Sequence, residues 1–226
     1  LLYFLPITFL GYYLFAFSRP LQNIWLVIVS LGFYAWGEPI YVFLMLASIT
    51  FNWLFGLMLM LIRKDNVKAR RLVLIAACVL NLGMLGVFKY AGFVVETVNG
   101  IMERPFLSYP NIVLPIGISF FTFQALSYVI DVYMGSAEPQ KNLLDIALYV
   151  AFFPQLIAGP IVKYSAIAEQ IKNRRTDLSM LTEGICRFSE GFCKKILIAN
   201  NLAVVADTVF NLTKGGDTSI PVPMLL

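Results

Sequence analysis

Five stretches of this chain, residues 1–17, 21–36, 40–62, 72–95 and 112–134, run nearly free of charge for sixteen to twenty-four residues each. The hydrocarbon core of a bilayer, about 30 Å thick, is crossed by about 20 apolar residues in helical form. All five are therefore predicted as transmembrane helices, the first two short enough to be tilted or cut at one end. Hydrophobic residues make up 59% of the sequence and charged residues only 13%. That leaves too little charge to coat a water-soluble fold, which carries roughly a quarter charged residues. The predicted fold class is all-α: a polytopic transmembrane bundle forming one membrane domain over residues 1–226, with the lipid bilayer as its partner. The opening run lacks a basic flank and a small-residue cleavage site, so it does not read as a signal peptide. The chain starts inside an apolar run at Leu1 and stops at Pro223-Met224-Leu225-Leu226 without a polar tail, so it reads as a piece of something longer.

The net charge of +4 sits in loops between apolar runs. That is the placement of topology signals and not of a nucleic-acid face, so no nucleic-acid partner is expected. Arg63, Lys64, Lys68, Arg70 and Arg71 crowd the loop after the third span and place it in the cytoplasm. Counting from there puts Arg19 and Lys141 inside, and the Gly37-Glu38-Pro39 turn and loop 96–111, with Arg104 alone, outside. A sixth apolar run, 143–162, breaks the alternation, because a full crossing would carry Lys163, Lys172, Arg174 and Arg175 outside. Pro154, Gly159 and Pro160 interrupt helical hydrogen bonding in the same run, and broken backbone survives at membrane depth only when protein shields it. A re-entrant element returning to the cytoplasmic face is predicted. Residues 185–212 carry Arg187, Glu190, Lys194 and Asn201 on one side and Ile185, Phe188, Phe192, Ile196 and Ala199 on another. They predict an amphipathic helix in the interface or along a wet cavity.

Gly117, Phe120, Gln124, Ser127 and Asp131 recur at spacings of three and four, a polar seam that must face protein. It marks either a cavity wall or an ordinary interhelical hydrogen bond. The cavity candidates are Gln124, Ser127 and Asp131 on this seam, and Gln155, Gly159 and Lys163 in and beside the broken run. Lys89 lies about 25 Å along the fourth span, far from Asp131, and is expected to snorkel outward or to meet another partner. Cys78, Cys186 and Cys193 lack metal or redox spacing and read as small buried hydrophobes, so neither a metal nor a bound cofactor is expected. The chain contains no histidine, and imidazole-base chemistry cannot be completed by its own residues.

The stretch Leu114-Pro115-Ile116-Gly117-Ile118-Ser119-Phe120-Phe121-Thr122-Phe123-Gln124, continuing through Ala125-Leu126-Ser127-Tyr128 to Ile130-Asp131-Val132-Tyr133, resembles the bacterial membrane-bound O-acyltransferases, in particular their alginate O-acetylase-like branch. Residues 33–39 (Phe-Tyr-Ala-Trp-Gly-Glu-Pro), 88–90 (Phe-Lys-Tyr), 152–160 (Phe-Phe-Pro-Gln-Leu-Ile-Ala-Gly-Pro) and 191–195 (Gly-Phe-Cys-Lys-Lys) share the likeness, which runs from about residue 1 to 210. Met134 departs from it, standing where the family pattern has arginine before Gly135.

The resemblance implies helices around a thinned membrane centre, where an acyl group from a cytoplasmic thioester, acetyl-CoA or an acyl carrier, reaches a hydroxyl of an extracytoplasmic glycan such as alginate. Envelope acetylation proteins would be partners. It further implies a histidine base in a later segment, so the chain would be an amino-terminal half lacking the catalytic residues and inactive alone. A relative loading D-alanine onto teichoic acid or acetyl onto peptidoglycan would share these features. Broken helices with intramembrane polar groups also suit a transporter, although no inverted repeat is apparent, and a noncatalytic membrane scaffold is the third class.

Overall fold

The apolar runs fold into helices, but the helices stop where prolines, glycines and capping groups stop them and not where the charge-free stretches end. The computed structural model describes residues 3–102, 108, 112–156, 159–174 and 177–214, with side chains to residue 210; Arg104, Arg175 and the two chain ends lie outside them. Every element among the described residues is helical. The chain divides into two compact units, Leu1–Arg174 and Arg175–Leu226.

In the first unit the helices are α1 (Phe4–Leu14), α2 (Arg19–Gly37), α3 (Tyr41–Leu61), α4 (Val67–Met102), α5 (Ile118–Met134), α6 (Leu143–Ala151), α7 (Phe153–Leu156) and α8 (Tyr164–Asn173). Two of them, α3 and α4, are long and apolar enough to cross a bilayer. Only 17% of the most apolar stretch of α4 is buried, whereas the core helix of a soluble protein is mostly buried. Leu72, Ile75, Val79 and Val87 instead stand exposed along it, a surface that suits lipid.

Two expected spans change length. The first becomes an 11-residue helix, about 16 Å long and half of what a crossing needs. The fourth lengthens to 36 residues, about 54 Å, because its basic start, Lys68-Ala69-Arg70-Arg71, is made of good helix formers and continues the coil without a stop signal. The fifth starts at Ile118 and not at residue 112. Residues 112–115 are non-helical, and Gly117, with φ 76°, takes the left-handed conformation before the helix.

Helix α5 sits at the centre, packed on α3, α4, α6 and α8. Phe121, Ala125, Tyr128 and Val129 are wholly buried there with Met45 of α3 and Ile146 of α6. Gly56 lets α3 approach α5: a Cβ there would overlap the Tyr128 hydroxyl. Arg70 fixes one end of the bundle. Its guanidinium donates to the carbonyl of Leu59 at 2.8 Å and to that of Tyr133 at 3.2 Å, satisfying the last turns of α3 and α5 together. The end of α3, the start of α4 and the end of α5 thus share one side, as alternate crossings require. At the other end Tyr34 donates to the Ile116 carbonyl at 3.0 Å, and the Ile116 amide donates to Glu38 at 3.3 Å.

In the second unit α9 (Leu178–Lys194) begins seven residues before the expected amphipathic segment. Asp177 caps it, accepting from the Met180 amide at 2.7 Å. A π-helical turn at Lys195–Ala199 leads into α10 (Asn200–Lys214). The residue inserted by such a turn rotates the succeeding helix by about 100°, so Asn201 leaves the polar seam of Arg187 and Lys194. Cys186 and Cys193 are exposed on α9, correcting the buried reading, and Cys78 is half-buried on α4.

Candidate functional site

Helix α6 has nine residues, about 13 Å of rise, and ends at Phe152, where the backbone turns extended before the single turn of α7. A break of this kind frees carbonyls in the last turn of α6. Two of the candidate residues take up one of them. Gln124 of α5 donates from Nε2 to the Tyr149 carbonyl at 2.7 Å, and Gln155 donates to the same oxygen at 3.0 Å. The Phe153 amide donates to Ser30 Oγ at 3.3 Å, so the apex of the element meets α2 near that helix's midpoint.

The return limb is held as closely. Tyr149 donates its hydroxyl to the Val162 carbonyl at 2.7 Å, with Ser127 Oγ a long 3.5 Å away. The Ser165 amide donates to Asp131 Oδ2 at 2.8 Å. Asp131 therefore places a carboxylate at the N-terminus of α8, where the helix dipole and free N–H groups favour it. Its own backbone carbonyl accepts from Ser136 at 2.9 Å, closing the end of α5 around Gly135, which has φ 78°. Residues 136 and 165 thus both bond to Asp131: the chain leaves the end of α5, reaches the level of the middle of α2 and comes back.

Gln124, Ser127, Asp131 and Gln155 are brought together around this loop, and the seam on α5 does face protein, with Gln124 and Asp131 buried. Gly159 packs against the Gln155 backbone so tightly that a Cβ would overlap it. Lys163 immediately precedes α8 and is exposed. Ile157 and Ala158 lie outside the described residues. Lys89 stands over the Tyr90 ring at 5.5 Å.

Sequence reasoning passed over the tyrosines. Tyr128, Tyr149 and Tyr164 are almost fully buried, and Tyr164 meets the other two edge-on at 4.9 and 5.1 Å. The Gln140 amide donates to Tyr128 at 3.1 Å and its side chain to Tyr164 at 3.3 Å. Burial pushes the Tyr164 phenol up from its ordinary value against the pull of the Gln140 hydrogen bond, which keeps it a neutral donor and acceptor. The signal was Tyr128, four residues after Gln124 and one turn along the same helix.

Chemically this is a polar frame that keeps broken backbone stable inside an apolar bundle. No group of three metal-binding side chains occurs among the described residues.

Residues 137–222 match the model of the membrane-bound O-acyltransferase family. The chain is 41% identical over 213 residues to the probable alginate O-acetylase of Pseudomonas syringae pv. tomato, covering 92% of this chain and 40% of that protein. It is 35% identical over 238 residues to the peptidoglycan O-acetyltransferase of Helicobacter pylori, covering 92% and 45%. Similarity to the teichoic acid D-alanyltransferase of Bacillus subtilis is lower, 28% over 124 residues, covering 49% and 31%. The chain thus spans less than half the length of the curated relatives it matches. No solved structure matches it.

Proposed function

Residues 137–222 match the membrane-bound O-acyltransferase family and similarity to alginate O-acetylases runs through 92% of this chain, and on that premise we propose that it forms the amino-terminal half of such an enzyme's single membrane domain, crossing the bacterial inner membrane several times. The enzyme transfers an acetyl group from a cytoplasmic thioester, acetyl-CoA or an acyl carrier, to a hydroxyl of an extracytoplasmic polysaccharide such as alginate. The observation that carries this reading is the 41% identity to alginate O-acetylases across nearly the whole chain.

In this reading the re-entrant element thins the barrier between donor and acceptor. Gln124 and Gln155 hold its break, Asp131 anchors its return limb, and Ser127 and Gly159 line the cavity wall with them, while Lys163 stands at the cytoplasmic rim of the donor path. The acceptor hydroxyl must lose its proton as its oxygen attacks the thioester carbonyl, and a histidine from the rest of the protein takes it, because this chain has none. Envelope acetylation proteins carry the reaction onward.

The test compares the 226 residues with the longer protein in proteoliposomes, acetyl-CoA on the cytoplasmic side and alginate on the other. O-acetylated alginate is expected from the longer protein alone. Turnover by the 226 residues would overturn the assignment of the base to another segment, and no turnover on any glycan by the longer protein would overturn the activity. The Helicobacter pylori relative favours peptidoglycan as second acceptor, and the same vesicles supplied with peptidoglycan strands distinguish the two.

A further inference from the structure

Apart from the frame around Tyr149, the first unit contains a pocket of about 220 Å³ between the starts of α2 and α6 and the end of α8. Asn23 and Asp145 are its most buried polar side chains. Asn23 is 7% exposed and Asp145 8% exposed. Asn23 gives its Nδ2 protons to Asp145 Oδ1 and to the Ile171 carbonyl, both at 3.2 Å, and its own Oδ1, buried, has no partner among the described residues. Asp145 forms no ion pair among the described residues, although Arg19 and Lys172 also line the pocket. Arg19 spends Nη1 on Gln22 at 3.1 Å, and Lys172 is exposed.

The pocket therefore has a buried carboxylate, with an orphan amide oxygen behind it, under a rim of two cations. Burying an unmet acceptor costs about 1–3 kcal/mol, more for a charge, so the carboxylate calls for a group rich in N–H donors. The rim calls for an anion. One compact group supplies both ends in that order: an ammonium joined to a phosphate by two carbons. The volume, about seven waters' worth, admits it. On the topology read from the basic loops, the pocket opens where headgroups lie on the cytoplasmic surface. We propose that this pocket binds the phosphoethanolamine headgroup of a membrane phospholipid. Its ammonium donates to the Asp145 carboxylate, and its phosphate accepts from Arg19 and Lys172.

The experiment titrates the detergent-purified 226-residue chain with dioleoyl phosphatidylethanolamine, phosphatidylcholine and phosphatidylglycerol, and counts bound lipid by native mass spectrometry. Trimethylation in the choline lipid removes the three N–H donors and keeps the charge, so phosphatidylethanolamine is expected to bind about tenfold tighter than either other lipid. Asp145→Asn should erase that preference. Arg19→Gln with Lys172→Gln, at the solvent side, should weaken the ethanolamine and choline lipids alike by about tenfold. Equal binding of the ethanolamine and choline lipids by the unaltered chain overturns the proposal, even if the variants fail to fold. So does preference for phosphatidylglycerol, which needs the rim alone, or displacement of the lipid by acetyl-CoA at lower concentration, which would make this a donor site. Binding is read without acyl transfer, so a failed acetylation assay with the lipid preference intact would sink the enzymatic reading and leave this one standing.

Discussion

At the scale of single residues the interior is held by amide pairs more than by charge. Asn52 of α3 and Asn81 of α4 exchange two hydrogen bonds, at 3.0 and 2.9 Å, and each also donates to the carbonyl four residues back, at 2.8 Å. Both are fully buried. Lipid offers neither amide another partner, so removing one strands the other. Asn81→Leu should cost about 1–2 kcal/mol, and the double change with Asn52→Leu should cost less than the sum of the singles by about 1 kcal/mol. Equilibrium unfolding in mixed detergent micelles measures the cycle, and strict additivity would mean that the pair contributes nothing as a pair. Neither asparagine was legible as half of a contact: one polar residue in an apolar run says only that it must be satisfied, not that its partner lies 29 positions on. Arg70 was legible as a charge that fixes orientation and not as a donor to two helix ends, because those carbonyls come together only after α3 and α5 have packed.

At the scale of elements, hydropathy locates a helix and capping decides its length. Helix α3 could be read almost whole from its charge-free run, and the break in 143–162 from Pro154, Gly159 and Pro160. The start of α4 could not, since hydropathy falls at Lys68 while helix propensity does not. The start of α9 was missed because Asp177 lies outside the amphipathic window. That cap gives α9 a pH dependence. Hydrogen bonds from the Met180 amide and the Ser179 hydroxyl hold the Asp177 carboxyl below the usual carboxylate range. A carboxyl depressed in the folded state stabilises above its unfolded value and loses that contribution as pH falls through the folded one. Hydrogen exchange over residues 178–184 should therefore speed up on acidification below the ordinary carboxylate range, beyond the intrinsic pH effect measured on the unfolded peptide. Asp177→Ala should make exchange fast at neutral pH and remove the acid step. An acid step that survives in the alanine variant would assign it to another group.

Across the whole first unit, the polar contacts that tie helix ends sort into two opposite ends, and this sorting gives the sixth apolar run its meaning. Arg70 ties the ends of α3 and α5, and Asp131 ties the end of α5 to the start of α8, all on one side. Tyr34, Tyr41 and Glu38 tie the turn between α2 and α3 to the residues leading into α5 on the other. A crossing by residues 143–162 would separate residues 136 and 165 by the thickness of the bilayer, about 30 Å. Both instead bond to the same aspartate, one through its backbone and one through its carboxylate. Charge bias, prolines and hydrogen bonds thus lead independently to a loop that dips and returns. Single cysteines at Ser136 and Ala166, both exposed, in a chain whose three native cysteines are replaced by alanine, should react with a membrane-impermeant maleimide from the cytoplasmic face of inverted vesicles and not from intact spheroplasts. Reaction from opposite faces would require a full crossing and break the Asp131 anchor.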